Sequence, residues 1–111
     1  MPEKNKAVQK MAQRVLEGYD AVHKREYQNA KKLLEPLRNF LHQETKPNVI
    51  FLSYLAIAQI GSKDVDEFLN TYEELQKYEP KNEKESAIKQ RVDEMFEELM
   101  SSIEKNNGEQ T

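Results

Sequence analysis

The chain has 111 residues with no cysteine, which fits one domain and excludes disulfides and thiolate metal sites. Residues 1–32 carry a charge balance of +4, residues 33–61 are neutral, and residues 62–111 stand at −7. The acidic majority argues against a broad nucleic-acid face. No stretch approaches the roughly twenty apolar residues of a membrane span, and no secretory leader pattern opens the chain. The expectation is a soluble cytoplasmic protein.

Strand signals are nearly absent, and helical periodicity runs through the chain. A first helix is predicted over about Lys6–Lys24, with Val8, Met11, Ala12, Val15, Leu16, Tyr19 and Val22 on a core stripe. Gly18 lies inside it, at a cost of about 1 kcal/mol relative to alanine. Either a second helix approaches closely there or an exposed turn tolerates it. A second helix starts near Glu26, with Tyr27, Ala30, Leu33, Leu34, Leu37, Phe40 and Leu41 as its apolar face. Pro36 predicts a kink near Lys32–Glu35, or a break at which proline opens a new short helix.

Pro47 suits the first turn of a third helix. This helix is apolar nearly all round from Val49 to Ile60, so it should be the buried centre. Gly61 is expected to end it as a left-handed cap. Asp64 and Glu67 have capping-box spacing at the start of a fourth helix. Val65, Phe68, Leu69, Tyr72, Leu75 and Tyr78 form its face, and Pro80 ends it. A fifth helix is expected over Glu83–Lys105. Residues 1–105 then make one helical domain, and 106–111 a polar, disordered tail.

Two hairpins share a register. Gly18 precedes Ala30 by twelve residues, with Tyr27 and Leu34 alongside. Ala56 precedes Phe68 by twelve, with Leu52, Leu55, Val65, Tyr72 and Pro80 alongside. Over about residues 11–82 this resembles a degenerate tetratricopeptide-type repeat, in which small residues mark close helix crossings. The period is 38 residues, set by Gly18 and Ala56. Arg14, Glu17 and Phe68 depart from the pattern, and a plain helical bundle with coincident spacing remains the alternative. The resemblance implies an all-α array of about five antiparallel helices, the last acting as a solvating cap. It also implies protein–protein recognition, with a peptide or partner helix in a groove.

No enzyme signature emerges, and no cofactor or metal is expected. His23 and His42 read as surface residues, neither with metal-ligand spacing. Glu73-Glu74 and Glu97-Glu98 are adjacent on helices, so their side chains diverge. The glycines are isolated, so no phosphate loop forms. Among the aromatics, Tyr54 lies on the polar side of an otherwise apolar helix. It is the leading candidate for partner binding, with Phe51 and Gln59 beside it. A dedicated chaperone and a self-associating bundle joined through Met95 and Leu99 are the alternative functions.

Overall fold

The computed structural model of the chain describes residues 2–109, and side chains over residues 6–105. Every regular element among them is helical: α1 (Pro2–His23), α2 (Tyr27–Leu34), α3 (Arg38–Leu41), α4 (Val49–Gly61), α5 (Val65–Leu75) and α6 (Glu83–Glu109). A single 3-10 turn, Glu35–Leu37, joins α2 to α3. The chain is thus all-α, built as an antiparallel hairpin array.

Helix directions follow from contacts. Gly18 of α1 faces Leu34 of α2, and Arg14 donates to the Leu33 and Lys32 carbonyls at 3.0 and 3.1 Å. Next, α2 runs antiparallel to α4, with Tyr27 against Gly61 and Glu35 accepting from Gln59. Thr71 and Glu74 of α5 meet Gln59 and His42, so α5 is also antiparallel to α4. Pro47 and Val49 lie beside Lys81 and Glu85, while Ile57 and Ile60 lie beside Met95 and Leu99. Hence α1, α4 and α6 are parallel to one another. As predicted, α4 is the buried centre: nine of its residues, including Phe51, Leu52, Leu55 and Ile57, are inaccessible.

Pro36 breaks the second helix rather than bending it. Proline has no N–H to give to the helical ladder, and its fixed φ suits the opening of the 3-10 turn. Phe40, expected in the core, is exposed. Val8 and Leu16 are likewise exposed. The face of α1 that packs runs through Met11, Val15, Gly18 and Val22.

The helix ends differ from expectation in informative ways. Gly61 is not left-handed; that conformation belongs to Arg25 (φ 63°) and Lys63 (φ 65°). Each follows a helix with the same bond pattern. Arg25 N–H donates to Val22 and Glu26 N–H to Ala21; Lys63 N–H donates to Ile60 and Asp64 N–H to Gln59. These are two Schellman caps set 38 residues apart. Helix α4 begins at Val49, so Pro47 precedes it instead of sitting in its first turn, and Asn48 caps it, its side chain accepting from Phe51 N–H at 3.0 Å. Asp64 makes no cap bond of hydrogen-bond geometry; its carboxylate pairs with Lys31 at 2.6 Å. The reciprocal cap occurs on α6 instead, where Asn82 accepts from Glu85 N–H and Glu85 accepts from Lys81 N–H, both at 2.9 Å. Helix α5 ends at Leu75, ahead of Tyr78 and Pro80. Helix α6 continues beyond Lys105 to Glu109; of the predicted tail, residues 110–111 lie outside the described residues.

Candidate functional site

Because α1, α4 and α6 are parallel, they present one continuous face, centred on Tyr54 of α4. The Tyr19 ring stacks on Tyr54 with centroids 4.0 Å apart. His23, one turn further along α1, meets the Tyr54 ring edge-on, and its Nε2 is hydrogen-bonded to the Tyr54 hydroxyl at 2.9 Å. From α6, Arg91 is close enough to oppose the rise that burial gives the Tyr54 pKa. Burial also pushes the Tyr19 phenol up, reinforced by its neighbour Tyr54. Both phenols therefore stay neutral, as hydrogen-bonding amphipathic surfaces.

The face continues as a cleft of about 280 Å³ between the end of α4 and α6. Ile57, Ile60, Met95 and Leu99 make it apolar, Tyr27 walls it from α2, and Glu98 stands at its edge. Gly61 and Glu98 each lie seven residues beyond Tyr54 and Arg91. On parallel helices, seven residues return close to the same side, so cleft and tyrosine cluster share one surface. The absence of a side chain at Gly61 allows the Tyr27 ring to lie directly on the α4 backbone. On the other flank, Val8, Ala12, Leu16, Tyr19 and His23 fall within an arc of about 80° on α1. Val8 is 67% and Leu16 62% exposed.

The three residues singled out by sequence separate here. Tyr54 lies at the centre of the face, half-buried. Phe51 and Gln59 do not lie on it. Phe51 is fully buried in a cluster with Leu34, Leu37 and Leu55. Gln59, 1% exposed, accepts from the Thr71 hydroxyl at 2.7 Å and donates to Glu35 at 3.2 Å, a polar bridge tying the 3-10 turn after α2 to α4 and α5. Sequence reasoning missed Leu16, Tyr27 and Arg91. Leu16 and Tyr27 looked like core by periodicity, and Arg91 like one more solvated charge.

The histidines also separate. His23 is exposed, as expected. His42 is buried, contrary to the surface reading, because the 42–48 loop folds back onto α5. Asn48 N–H donates to Nδ1 at 3.1 Å, so Nε2 carries the proton and donates to Glu74 at 2.9 Å. Glu74 also accepts from the Tyr78 hydroxyl at 2.7 Å and pairs with Lys77 at 2.9 Å. Hydrogen bonds from Tyr78, His42 and Lys77 lower its pKa to about 2. Both His42 nitrogens are thereby occupied in a structural clamp.

Among the described residues, no group of three His, Cys, Asp or Glu side chains is placed to hold a metal ion. Among the same residues, no helix is long and apolar enough to cross a membrane. Comparison of the chain with protein-family models, with curated proteins and with solved structures found no match.

Proposed function

We propose that the protein is a small cytoplasmic, non-catalytic interaction module of tetratricopeptide-like form, seating a peptide or partner helix across α1, α4 and α6. The carrying observation is the apolar cleft at the end of α4, continuous with the Tyr19–Tyr54–His23 cluster. A partner helix needs an apolar seat for its anchors and polar groups at the rim to fix its register. Ile60, Met95 and Leu99, each partly exposed, are the seat; His23, Arg91 and Glu98 are the rim. The two identically built hairpin turns, 38 residues apart, support the repeat-like part of the reading.

Photo-crosslinking tests it. A benzophenone amino acid is placed in cells at Leu16 or Glu98 on the face, and at Glu73 on α5 as a control. A partner band is expected at the first two positions and not at the third. Leu16→Asp should abolish the Glu98 crosslink while leaving the thermal melt unchanged. Equal crosslinking at all three positions, or none at any, counts against the groove.

A further inference from the structure

We propose that the segment seated on this face is a basic amphipathic helix of another protein, which lays a lysine or arginine side chain into the α4–α6 cleft and pairs it with Glu98. The inference rests on the groove reading and names the chemistry of its occupant.

The carboxylate at the cleft is the first argument. Several acids of this chain have a lysine in reach: Asp20 pairs with Lys24, Asp64 with Lys31, Glu74 with Lys77 and Asp93 with Lys89. Glu98 and Glu94, one turn before it, differ. Both are exposed, and neither is in an ion pair among the described residues. The positions three and four away from Glu98 hold Glu94, Met95, Ser101 and Ser102, so its own helix offers it no cation. Like charges four apart on a helix repel one another. A cation brought by a partner relieves that repulsion and is drawn to this end of the face.

The make-up of the cleft is the second. Ile60, Met95 and Leu99 are each partly exposed in it, and Glu98 stands at its edge. An apolar seat with one carboxylate at the rim matches a long basic side chain, whose methylene stem packs while its charged head stays at the edge. An acidic side chain would be repelled by Glu98. A wholly apolar one would strip water from the carboxylate and offer it no hydrogen bond.

Register is the third. Arg91 is exposed, in no ion pair among the described residues, and beside Tyr54. Its charge keeps the cations of an occupant away from the centre of the face. On the α1 side Leu16 is uncovered and takes the occupant's apolar end. Tyr19 and Arg91 flank Tyr54, so Leu16 and Glu98 stand roughly 15 Å apart along the shared helix direction, about three turns of a partner helix. The occupant therefore carries an apolar anchor at one end and its basic residue at the other, in the helix-in-groove manner.

Selection from a phage-displayed library of random peptides on the immobilised full chain tests the inference, with peptides long enough for about four helical turns. The wild-type chain should enrich peptides with Lys or Arg about three turns from an apolar residue. Glu94→Lys with Glu98→Lys should bind the leading peptide about tenfold more weakly, with an unchanged melt, and should itself enrich Asp or Glu at the basic position. Glu98→Gln, the milder change, should weaken binding in the same direction. Glu73→Lys with Glu79→Lys alters the net charge equally but away from the face, and should keep the wild-type preference. Leading peptides that lack basic residues, or a preference that survives reversal at Glu94 and Glu98, overturn the basic occupant while the groove reading stands. A chain that sediments at twice its 13.1 kDa, with Leu16 and Glu98 covered by its own copy, also overturns it. No enrichment, or binding that Leu16→Asp leaves intact, overturns the groove reading and this inference together.

Discussion

Replacing Gly18 by alanine has an outcome whose sign separates two physical accounts of that residue. In an ordinary exposed helix interior, glycine to alanine stabilises by about 1 kcal/mol. Here an added Cβ would stand 2.5 Å from Leu34 Cδ2 and 2.6 Å from its Cγ. Carbon contacts relax at about 3.5–4.0 Å, so Leu34 must move by about 1 Å. It has little room: Leu34 is fully buried with Leu37, Phe51 and Leu55, and the clash includes its branch point as well as a terminal methyl. Overpacking of this kind costs about 1–3 kcal/mol, and the crowded branch point places Gly18→Ala in the upper half. Subtracting the propensity gain leaves a net loss of about 1–2 kcal/mol. For a domain of this size that is a melting temperature lower by about 4–16 °C, measurable by far-UV circular dichroism and urea titration. Leu34→Ala alone should cost about 2–5 kcal/mol. In the double variant the new methyl enters the vacated space, so the combined loss should fall short of the sum of the singles. A Gly18→Ala protein more stable than the parent, or strict additivity in the double variant, would refute the close-approach account.

The other predictions use the same measurements. Gly61→Ala drives a methyl into the Tyr27 ring and should destabilise by about 1–3 kcal/mol. It should also alter tyrosine near-UV dichroism, which a mere helix-propensity change would leave alone. Lys63→Gly and Arg25→Gly relieve left-handed residues with side chains; each should gain up to about 1 kcal/mol, less the entropy that glycine adds to the unfolded chain. Glu74→Gln removes a carboxylate held near 2 instead of 4.5. The folded-state value is the lower one, so its stabilisation is complete above pH 4.5 and is lost as pH falls towards 2. At most it is about 3 kcal/mol, and screening brings that to about 1–2 kcal/mol. The urea midpoints of parent and variant should therefore converge between those pH values, and a gap that persists at pH 2 would argue against the clamp. Thr71→Val leaves the buried Gln59 oxygen unpaired and should cost about 1–3 kcal/mol. Gln59→Leu in that background should recover part of it.

The legible part of the fold was carried by period and composition. The continuous apolar run from Val49 to Ile60 could belong only to the central helix, and it is the most buried element. Gly18 inside an amphipathic stripe left a close crossing and a tolerated exposed turn both open, and Leu34 packed against it decides for the crossing. What could not be read depends on contacts distant in sequence. His42 has no carboxylate at helical spacing in the sequence; Glu74 reaches it from 32 positions away. Asp64 has ideal capping-box spacing, but Lys31 of the preceding hairpin holds its carboxylate. The role of Gly61 was misassigned for a related reason. A glycine at a helix end usually supplies a left-handed cap, yet here its missing side chain serves Tyr27, and Lys63 bears the left-handed strain. Of the three predicted contact residues only Tyr54 lies on the surface. Phe51 and Gln59 are on faces of α4 that α2 and α5 cover, and sequence alone does not orient a helix that is apolar all round.

The two glycines have a consequence beyond stability. Gly18 fixes the spacing of α1 on α2, and Gly61 fixes that of α2 on α4. Together they set the distance between α1 and α4, and with it the stacking of Tyr19 on Tyr54 at 4.0 Å. A side chain at either position pushes α1 outward relative to the α4–α6 pair, so the face should open on the α1 side while the cleft floor of Ile57, Met95 and Leu99 keeps its shape. Stability and binding therefore need not fall together. A Gly61→Ala protein should melt lower yet remain folded at 25 °C. Its crosslink at Leu16 should weaken before its crosslink at Glu98, because only the first depends on the α1–α4 spacing. Equal weakening at both positions would show that the face responds as one rigid unit, and that the glycines act on the core alone.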